Sequence, residues 1–305
     1  MRLVIERGKI VPLSDLPPRS IALDGYVQGP AIDADGERYS FDHHAGCVRH
    51  ATRATAEQVR DAIILGLDPR DFTVFVNDVD LDTALSVWLL ANPHRANEEI
   101  VHELVDDAGL LDAHSGAYPM DPRKRHVIDW LSEPETTARA DGTYWSLDNG
   151  GLEDLVADVS RRIDIYTHGE TRPSVADFQL DERYEIVRRG TDWDLAKVIG
   201  IRSHASLFRE GHLRVVMFRQ LPDHTWGYTV AKQSEFVKRF PIERILAALT
   251  AREPGWGGGS TIGGAPRHSD GSRSRLTPDE VFEIVEKVVA AESDSTPSEA
   301  PRARR

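Results

Sequence analysis

Residues 72–86 read Phe72-Thr-Val-Phe-Val76-Asn-Asp78-Val-Asp80-Leu-Asp82-Thr-Ala-Leu-Ser86, and this stretch decides the fold. Its apolar, aromatic and β-branched start predicts a buried strand. A helix is predicted from Asp82 to Ala91, because Asn92-Pro93 closes the apolar run that follows the aspartates. A strand that leads directly into a helix is typical of an α/β layer.

A second acid- and histidine-rich cluster lies upstream, where Asp42-His43-His44 follows the strand-like run Tyr39-Ser-Phe41. The next helix is predicted from Thr52 to Leu67. Strand, helix, strand and helix then alternate, which favours parallel pairing. Open sheets of this kind bind ligands beyond the carboxyl ends of their strands, so we expect the two clusters to converge on one site.

Both clusters have the composition of a site for a hard metal ion. Carboxylates together with imidazoles suit Mn²⁺, Fe²⁺ or Zn²⁺, and two such ions can activate a water and brace a phosphoryl group. Asp82 has a simpler interpretation as the N-cap of its helix. Three carboxylates at alternate positions, however, would share one face of an extended strand and repel each other, and a cation relieves that repulsion. We therefore interpret the clusters as a metal site.

At Asp42-His43-His44 the chain resembles the DHH phosphoesterase superfamily, which includes exonucleases, oligoribonucleases, exopolyphosphatases and cyclic-dinucleotide phosphodiesterases. Residues 78–86 resemble the aspartate motif of its RecJ-like and oligoribonuclease-like members, with Thr83 where glycine is usual. In ordinary members the aspartate motif precedes the DHH triplet, whereas here it follows. This order indicates a permuted or rearranged sheet, or convergence on a similar site.

A third element, far downstream, is the run Gly255-Trp-Gly257-Gly258-Gly259-Ser260-Thr-Ile-Gly263-Gly264. It resembles the glycine-rich loop of the substrate-binding domain that follows many DHH domains, with Ser260 where histidine is usual. Glycines allow backbone N–H groups to approach an anion closely. A flexible linker is the alternative interpretation, but Trp256 and Ile262 weigh against it.

The resemblance implies a role for each residue of these motifs. The expected metal ligands are His44, Asp80, Asp82, Asp24 and, from the acidic segment 106–114, Asp107. Asp33, Asp35 and the run from Asp164 to His168 compete for the last two places. The expected catalytic residues are Asp42, His43 and Asp78, with His43 contacting the phosphate or acting as an acid. The expected substrate-binding residues are Gly257, Gly258, Gly259 and Ser260. Mn²⁺ is the usual metal of the family, and Mg²⁺ and Zn²⁺ are the alternatives.

The chain has 305 residues, which is long enough for two domains with separate cores. We expect an α/β fold: a mainly parallel, DHH-like metal-binding catalytic domain over residues 1–170 and a smaller α/β glycine-loop substrate-binding domain over 171–292. The run from Gly169 to Pro173 marks the boundary between them. A disordered tail is expected over residues 293–305.

The composition of the chain restricts its expected cellular compartment and its binding partners. No apolar run approaches the ~20 residues of a membrane span, and the amino-terminal stretch lacks the apolar core of a signal peptide, so we expect a cytoplasmic protein without a membrane partner. The single cysteine, Cys47, fits a reducing compartment. It is expected to be a small buried residue, with a soft metal ligand or a nucleophile as alternatives. A formal net charge of −13 argues against tight binding of long duplex nucleic acid.

The expected function is metal-dependent hydrolysis of a phosphodiester or phosphoanhydride in a nucleotide, an oligonucleotide or a related substrate. The expected partners are a phosphorylated small molecule or a short single-stranded nucleic acid, and a second copy of the chain in a homodimer. A catalytically inactive DHH-like protein that senses a nucleotide or a metal is the alternative, favoured by the reversed motif order, Thr83 and Ser260. A metallohydrolase acting on non-phosphate substrates is the third reading.

Overall fold

The computed structural model describes residues 1–44, 46–114, 118–168, 180–266, 268 and 272–294. The chain forms two compact units, each with its own sheet. The first unit comprises Met1–Glu182 and Gly200–Arg209, and the second comprises Arg183–Ile199 and Glu210–Arg305. The boundary predicted at Gly169 to Pro173 lies outside the described residues, as do residues 295–305 of the predicted tail. No helix among the described residues is both long and apolar enough to span a membrane.

The first unit contains a five-stranded sheet. Its strands are β1 (Arg2–Ile5), β2 (Ser20–Leu23), β3 (Ala31–Asp33), β4 (Arg38–Phe41) and β5 (Thr73–Val76). They lie in the order β1-β5-β2-β4-β3, and only β3, at the edge, is antiparallel to its neighbour. The expected α/β class is confirmed, and this sheet is mainly parallel.

Six helices complete the described part of the first unit. They are α1 (Thr55–Ile64), α2 (Leu81–Ala91), α3 (Glu99–His114), α4 (Pro122–Asp141), α5 (Asn149–Thr167) and α6 (Ser203–Arg209). Helix α2 is buried along its length up to Leu90, with Trp88 and Leu89 among its most enclosed residues. A helix that is apolar on every side belongs in the centre of a core. The buried strands β2 and β5 contribute Leu23 and Val74 to the same core.

The proline-, arginine- and aspartate-rich composition of the segment from Pro119 to Gly150 predicts a long insertion or lid with its own short elements. Most of it instead forms the single 20-residue helix α4, which runs through Pro134. Proline cannot donate to the carbonyl four residues before it. Arg162 Nη1 donates to that carbonyl, the Trp130 oxygen, at 2.6 Å, and so replaces the missing bond. The helix therefore tolerates a residue that usually breaks helices.

The second unit contains a six-stranded mixed sheet and two helices in its described part. Its strands are β6 (Tyr184–Arg189), β7 (Asp194–Val198), β8 (Arg214–Gln220), β9 (Trp226–Lys232), β10 (Gly257–Gly258) and β11 (Ile262–Gly264), and its helices are α7 (Ile242–Arg252) and α8 (Pro278–Asp294). The order is β10-β11-β9-β8-β7-β6, with only β7 and β8 parallel. The strand-like runs 213–218 and 227–231, which flank Pro222, predict a hairpin. The antiparallel pair β8–β9 confirms it. Helix α8 extends to Asp294, two residues into the predicted tail.

Candidate metal centre

Three neighbouring parallel strands, β5, β2 and β4, end at one edge of the first sheet. Strand β2 lies between the other two, and its Leu23 pairs in register with Phe41 of β4. Asp24 and Asp42 are therefore neighbours directly beyond the sheet. The aspartate-rich loop 77–82 follows β5 on the other side of β2. The structure thus brings the two sequence clusters together at the edge where open α/β sheets bind ligands.

His43 is the centre of this cluster. Its side chain is fully buried, and its Nε2 atom lies 2.7 Å from Asp112 Oδ2. The same nitrogen lies 3.7 Å from Asp24 Oδ1 and 3.9 Å from Asp82 Oδ2. Arg49 Nη2 approaches it to 3.4 Å. The imidazole nitrogen therefore faces three carboxylates that come from β2, α2 and α3.

Asp112 reaches the cluster from the end of α3. Its Oδ2 atom lies 2.7 Å from His43 Nε2, the shortest of the contacts between this imidazole nitrogen and the carboxylates of the cluster. Burial raises the pKa of Asp112, but the adjacent His43 and Arg49 outweigh that effect and hold it below the ordinary value. The result is an ionised carboxylate oxygen that points into the cluster.

Asp107, the ligand expected from this helix, is not brought to the cluster. Its Oδ2 atom lies 3.0 Å from Lys124 Nζ. Five residues of α-helix rotate a side chain by about 140°, so Asp107 and Asp112 face different directions. Helical spacing was the signal that could have distinguished them, since Asp112 continues the buried line of Val105 and Ala108.

Asp24 is held by two threonine hydroxyls. Thr55 Oγ1 donates to Asp24 Oδ1 at 3.0 Å, and Thr83 Oγ1 donates to Oδ2 at 3.2 Å. The backbone of Asp24 has a φ of 52°, in the left-handed region. Aspartate is one of the few residues other than glycine that adopt this conformation readily. Thr83, which departs from the family motif, therefore positions a carboxylate of the cluster. Neither threonine is predicted from the sequence to have this role.

Asp80 and Asp82 accept hydrogen bonds from the starts of two different helices. Asp80, not Asp82, is the N-cap of α2, because its Oδ1 accepts from Thr83 N at 2.9 Å. Asp82 instead accepts from the first turn of α1, at 2.8 Å from Thr55 N and 2.9 Å from Ala56 N. The N-terminus of a helix favours such a negative charge.

Asp80 and Asp82 are buried close to each other and to further carboxylates, so their negative charges repel. Burial, together with the nearby Asp24 and Asp112, raises the pKa of Asp80 well above its ordinary value. Burial and the same neighbours also raise the pKa of Asp82, even though two backbone N–H groups stabilise its anion. Removing this repulsion requires either protons or a cation at the cluster.

His44 and Asp42 form a pair beside Asp24. Asp42 is fully buried, and its Oδ1 atom lies 3.0 Å from both N and Nδ1 of His44, while its Oδ2 accepts from Gly29 N at 2.7 Å. Burial raises the pKa of Asp42, but these hydrogen bonds outweigh it and lower the pKa. Partial burial lowers the pKa of His44, and Asp24 and Asp42 more than reverse that effect, raising it to about 11. The His44 side chain remains 43% exposed, unlike that of His43.

Asp78 lies at the start of the aspartate loop but faces other partners. Tyr144 donates a hydrogen bond to its Oδ1 atom, and Arg139 Nη2 lies 3.3 Å from the same atom. Arg139 also donates to the Val79 carbonyl at 2.8 Å. Asp78 therefore ties the loop to α4 and the segment after it, and it is not one of the residues whose donor atoms converge on His43.

Two triads in the described residues bring their donor atoms within 4.8 Å of one another: Asp24, His43 and His44, and His43, Asp82 and Asp112. Ligand atoms that share a cation are roughly 3 to 3.5 Å apart, given metal–ligand bonds of about 2.1 Å. The observed 2.7–3.9 Å distances around His43 Nε2 bracket that range. His43 belongs to both triads, so the candidate position for a cation lies at this residue. The ionised Asp112 carboxylate and the mutually repelling Asp80 and Asp82 fit a divalent cation.

The remaining sequence candidates are not among the residues whose donor atoms converge at His43. Asp33 pairs with Arg38 at 2.6 Å, and Asp164 accepts from the Trp88 indole at 2.9 Å. Cys47 is partly buried, and its Sγ lies 3.9 Å from the Asp42 carbonyl oxygen. Burial raises the pKa of this thiol, which disfavours the thiolate that binds metals or acts as a nucleophile.

The glycine run of the second unit forms a hairpin rather than a flexible linker. Gly257 and Gly258 pair with Gly264 and Gly263, and β11 continues the sheet through β9. Gly259 N donates to the Ile262 carbonyl at 2.8 Å, so this N–H group is already used within the turn. Ser260 lies in the exposed turn. The linker interpretation is therefore wrong for the described part of this run.

The position of the cluster beyond the strand ends is common to open α/β folds. The resemblance to one family rests on the sequence motifs. The chain matches no family model, no curated protein and no solved structure in comparisons of its sequence and fold.

Proposed function

We propose that this protein is a metal-dependent phosphoesterase that hydrolyses a phosphodiester or phosphoanhydride of a nucleotide-like substrate. One observation carries the proposal. Residues from three strand ends and from α3 converge on the buried Nε2 atom of His43 with donor spacings that suit a divalent cation. Motif resemblance to DHH phosphoesterases, in two separate segments, supplies the reaction class. Mn²⁺ is the proposed metal, with Mg²⁺ and Zn²⁺ as alternatives.

The residues divide into those that would hold the cation and those that support them. His43, Asp24 and Asp112 would hold it, with Asp82 as a further carboxylate near the same imidazole nitrogen. When bound, such a cation supplies Lewis-acid activation of a water and stabilises charge on a phosphoryl oxygen. Thr55 and Thr83 keep the Asp24 carboxylate in place through their hydroxyl groups. Supporting hydrogen bonds of this kind orient metal ligands and tune their basicity.

The two histidines differ in burial, and we propose that their roles are the reverse of those that the sequence suggests. His43 is fully enclosed and points its nitrogen into the cluster, which suits a ligand. His44 is 43% exposed and rests against Asp42 through Nδ1, which leaves Nε2 available to a bound substrate. His44 would then contact the phosphate and supply a proton to the leaving oxygen from Nε2. The ring orientation is fixed by the Asp42 carboxylate.

Arg49 lies beside this arrangement. Its Nη2 atom lies 3.4 Å from His43 Nε2 and 4.0 Å from Asp112 Oδ2. A guanidinium group beside the cluster would attract an anionic substrate and stabilise the charge that develops on phosphoryl transfer. The net charge of −13 is therefore compatible with a phosphorylated substrate, because the local charge at the site differs from the sum over the chain.

The test is hydrolysis of bis(p-nitrophenyl) phosphate and of short oligonucleotides with Mn²⁺, Mg²⁺ or Zn²⁺. The wild type and a Glu103→Gln control, which changes an exposed carboxylate of α3, should turn over with metal and stop in EDTA. His43→Ala should lose activity and bound metal together. Metal binding without hydrolysis of any phosphoester would replace the enzyme by a metal-sensing binding protein. Hydrolysis that His43→Ala leaves intact would place the chemistry elsewhere.

A further inference from the structure

The aspartate loop 77–82 is held by two side chains that do not belong to the cluster at His43. Tyr144, in the segment after α4, is fully buried, and its hydroxyl accepts from Val79 N at 3.0 Å and donates to Asp78. Arg139 Nη2 donates to the Val79 carbonyl oxygen at 2.8 Å. Both the N–H and the C=O group of Val79 are therefore fixed by side chains from outside the loop.

These two side chains, which we call the loop clamp, are themselves fixed in place. The guanidinium carbon of Arg139 lies 4.0 Å from the centre of the Tyr144 ring, and its Nε donates to Glu135 Oε1 at 2.5 Å. Arg7, two residues beyond β1, donates to the backbone carbonyls of Tyr144 and Trp145 at 2.9 Å each. A buried cation over an aromatic face and charge-assisted hydrogen bonds are both favourable. The clamp is therefore a defined structure on which the loop rests.

The clamp fixes one end of the segment that carries two carboxylates of the cluster. Val79 precedes Asp80, the N-cap of α2, and Asp82 lies in the first turn of that helix. Beyond the loop, Asp82 is held by the amino-terminal N–H groups of α1. Tyr144 has neither a charge nor a donor atom directed at His43, so its effect on the cluster passes through the backbone of the loop.

Repulsion between carboxylates gives the clamp a reason to exist. Asp80 and Asp82 are buried close to Asp24 and Asp112, and like charges in such a place repel. A loop free to move would relieve this repulsion by turning its aspartates away from the strand ends. A cation would then have to order the loop when it binds, and such ordering lowers affinity. A loop that is held in advance avoids this cost.

We propose that Tyr144 and Arg139 are positioning residues of the metal centre, which hold Asp80 and Asp82 in the cluster before a cation binds. The inference rests on the proposed function for the identity of the site, but it concerns the binding of the metal and not the hydrolysis. A purely structural clamp would stabilise the fold and leave the metal affinity of the folded protein unchanged. The two roles therefore differ in what they predict for Mn²⁺ binding.

The main variant is Tyr144→Phe, which keeps the ring beside Arg139 and removes only the hydroxyl. Tyr228→Phe is the matched control, because Tyr228 is a buried tyrosine of the second unit whose hydroxyl donates to the Leu276 carbonyl at 2.7 Å. Both variants lose a buried hydrogen bond and should melt at a lower temperature than the wild type in EDTA. Only Tyr144→Phe should weaken Mn²⁺ binding, by roughly tenfold, as the loss of a supporting hydrogen bond does. Electron paramagnetic resonance of unbound Mn²⁺, at a temperature where all the proteins are folded, measures the affinity.

A second variant, Arg139→Lys, decides the question if Tyr144→Phe does not fold. It keeps the positive charge near Asp80 and loses the planar fork of the guanidinium, so Mn²⁺ binding should again weaken. Arg162→Lys is its control. Arg162 has the same 21% side-chain exposure as Arg139, and it likewise donates to a backbone carbonyl and to a glutamate.

The outcomes separate the clamp from the proposed activity. Equal Mn²⁺ affinity in the wild type and Tyr144→Phe, or an equal loss in a variant and its control, would overturn the proposal. Mn²⁺ binding that depends on the clamp, without hydrolysis of any phosphoester, would keep the clamp and reject the phosphoesterase. Hydrolysis with an Mn²⁺ affinity that ignores the clamp would do the reverse. A wild type that binds no Mn²⁺ would reject both.

Discussion

At the scale of single residues, the two aspartates of α3 give the clearest contrast. Asp112 faces His43, whereas Asp107 pairs with Lys124. We predict that Asp112→Asn weakens Mn²⁺ binding by at least tenfold, because a neutral amide is a poorer ligand than a carboxylate. Asp107→Asn should bind Mn²⁺ like the wild type. Isothermal titration with Mn²⁺ measures both, and the reverse ranking would restore the ligand that the sequence suggested.

Thr83 provides a second test at this scale. It is fully buried, and its hydroxyl holds Asp24 Oδ2. Thr83→Val keeps the shape and loses the hydrogen bond, so Mn²⁺ affinity should fall roughly 10- to 100-fold, the usual effect of removing a partner of a metal ligand. Thr83→Ser should restore most of the affinity. If valine and serine variants bind Mn²⁺ equally well, Thr83 has no positioning role.

Asp80 should affect stability in a direction that depends on metal. In the metal-free protein its pKa is raised by burial and by neighbouring carboxylates, so ionising it opposes folding. Asp80→Asn removes that charge and keeps an oxygen for Thr83 N, and we predict that its melting temperature in EDTA rises by a few degrees. In Mn²⁺ the gain over EDTA should be smaller than for the wild type. A lower melting temperature in EDTA would contradict the repulsion.

Several site residues could be predicted from the sequence, and others could not. Asp24 and His43 lie just beyond the ends of β2 and β4, and Asp82 lies at the start of the helix that follows β5. Strand ends meet at one sheet edge whatever the order of the motifs. Asp112 comes from a helix end, so its approach depends on how α3 packs. Thr55 contributes only a hydroxyl, which looks like an ordinary helix cap in the sequence. Such supporting residues become visible only when the three-dimensional contacts are known.

At the scale of elements, the glycine hairpin limits which substitutions are informative. A Cβ on Gly258 would lie 2.3 Å from the Gly263 Cα, and its φ is 154°, so Gly258→Val should unfold or distort the β10–β11 hairpin. A Cβ on Gly257 meets no described atom within 4 Å. We predict that Gly257→Ala changes stability by less than about 0.5 kcal/mol, as surface changes usually do.

The Gly257→Ala variant then reports on ligand binding rather than on folding. If the hairpin receives part of the substrate, KM for the natural oligonucleotide should rise while p-nitrophenyl phosphate turnover stays unchanged. Chemical denaturation provides the stability control for both glycine variants. Unchanged kinetics on every substrate for a stable Gly257→Ala would remove the hairpin from the substrate site.

The sequence predicted the type of most elements better than their extent. The strand before Asn77 follows from an apolar run, and the helix after Asp80 follows from a second apolar run that Asn92-Pro93 ends. Both elements are present. Helix α4 was missed because Pro134 usually ends a helix, and its rescue by Arg162 involves a residue 28 positions later. A contact between distant residues of this kind leaves no local pattern.

At the scale of the whole molecule, the two units illustrate another limit of sequence patterns. Residues Gly200–Arg209 group with the first unit although the flanking strands β7 and β8 belong to the second. A domain prediction that divides the chain into contiguous segments cannot place residues 200–209 in the first unit. Composition and periodicity did predict the α/β class, because they depend on local runs that each unit contains in full.

Metal and pH should act on the stability of the whole protein in linked directions. Burial and neighbouring carboxylates raise the pKa values of Asp80 and Asp82 in the folded, metal-free state. The folded state therefore binds more protons than the unfolded chain above about pH 4, and these two groups make the metal-free protein less stable as pH rises. Bound Mn²⁺ replaces those protons, so its stabilisation should grow with pH.

The corresponding measurement is the melting temperature in EDTA and in Mn²⁺ between about pH 5.5 and pH 7.5. The difference between the two curves should widen as pH rises in the wild type. The Asp80→Asn variant should show a smaller change across the same range. A difference that stays constant with pH would mean that metal binding does not displace protons from these aspartates.

The central claim is that the strand ends assemble a divalent metal centre at His43. Anomalous diffraction at the manganese edge, from crystals soaked in Mn²⁺, tests it most directly. We predict a peak about 2.0–2.3 Å from the Nε2 atom of His43, with carboxylate oxygens of Asp24 and Asp112 around it. The peak should be absent in His43→Ala crystals. A wild-type crystal with no peak within bonding distance of His43, at saturating Mn²⁺, would contradict the account.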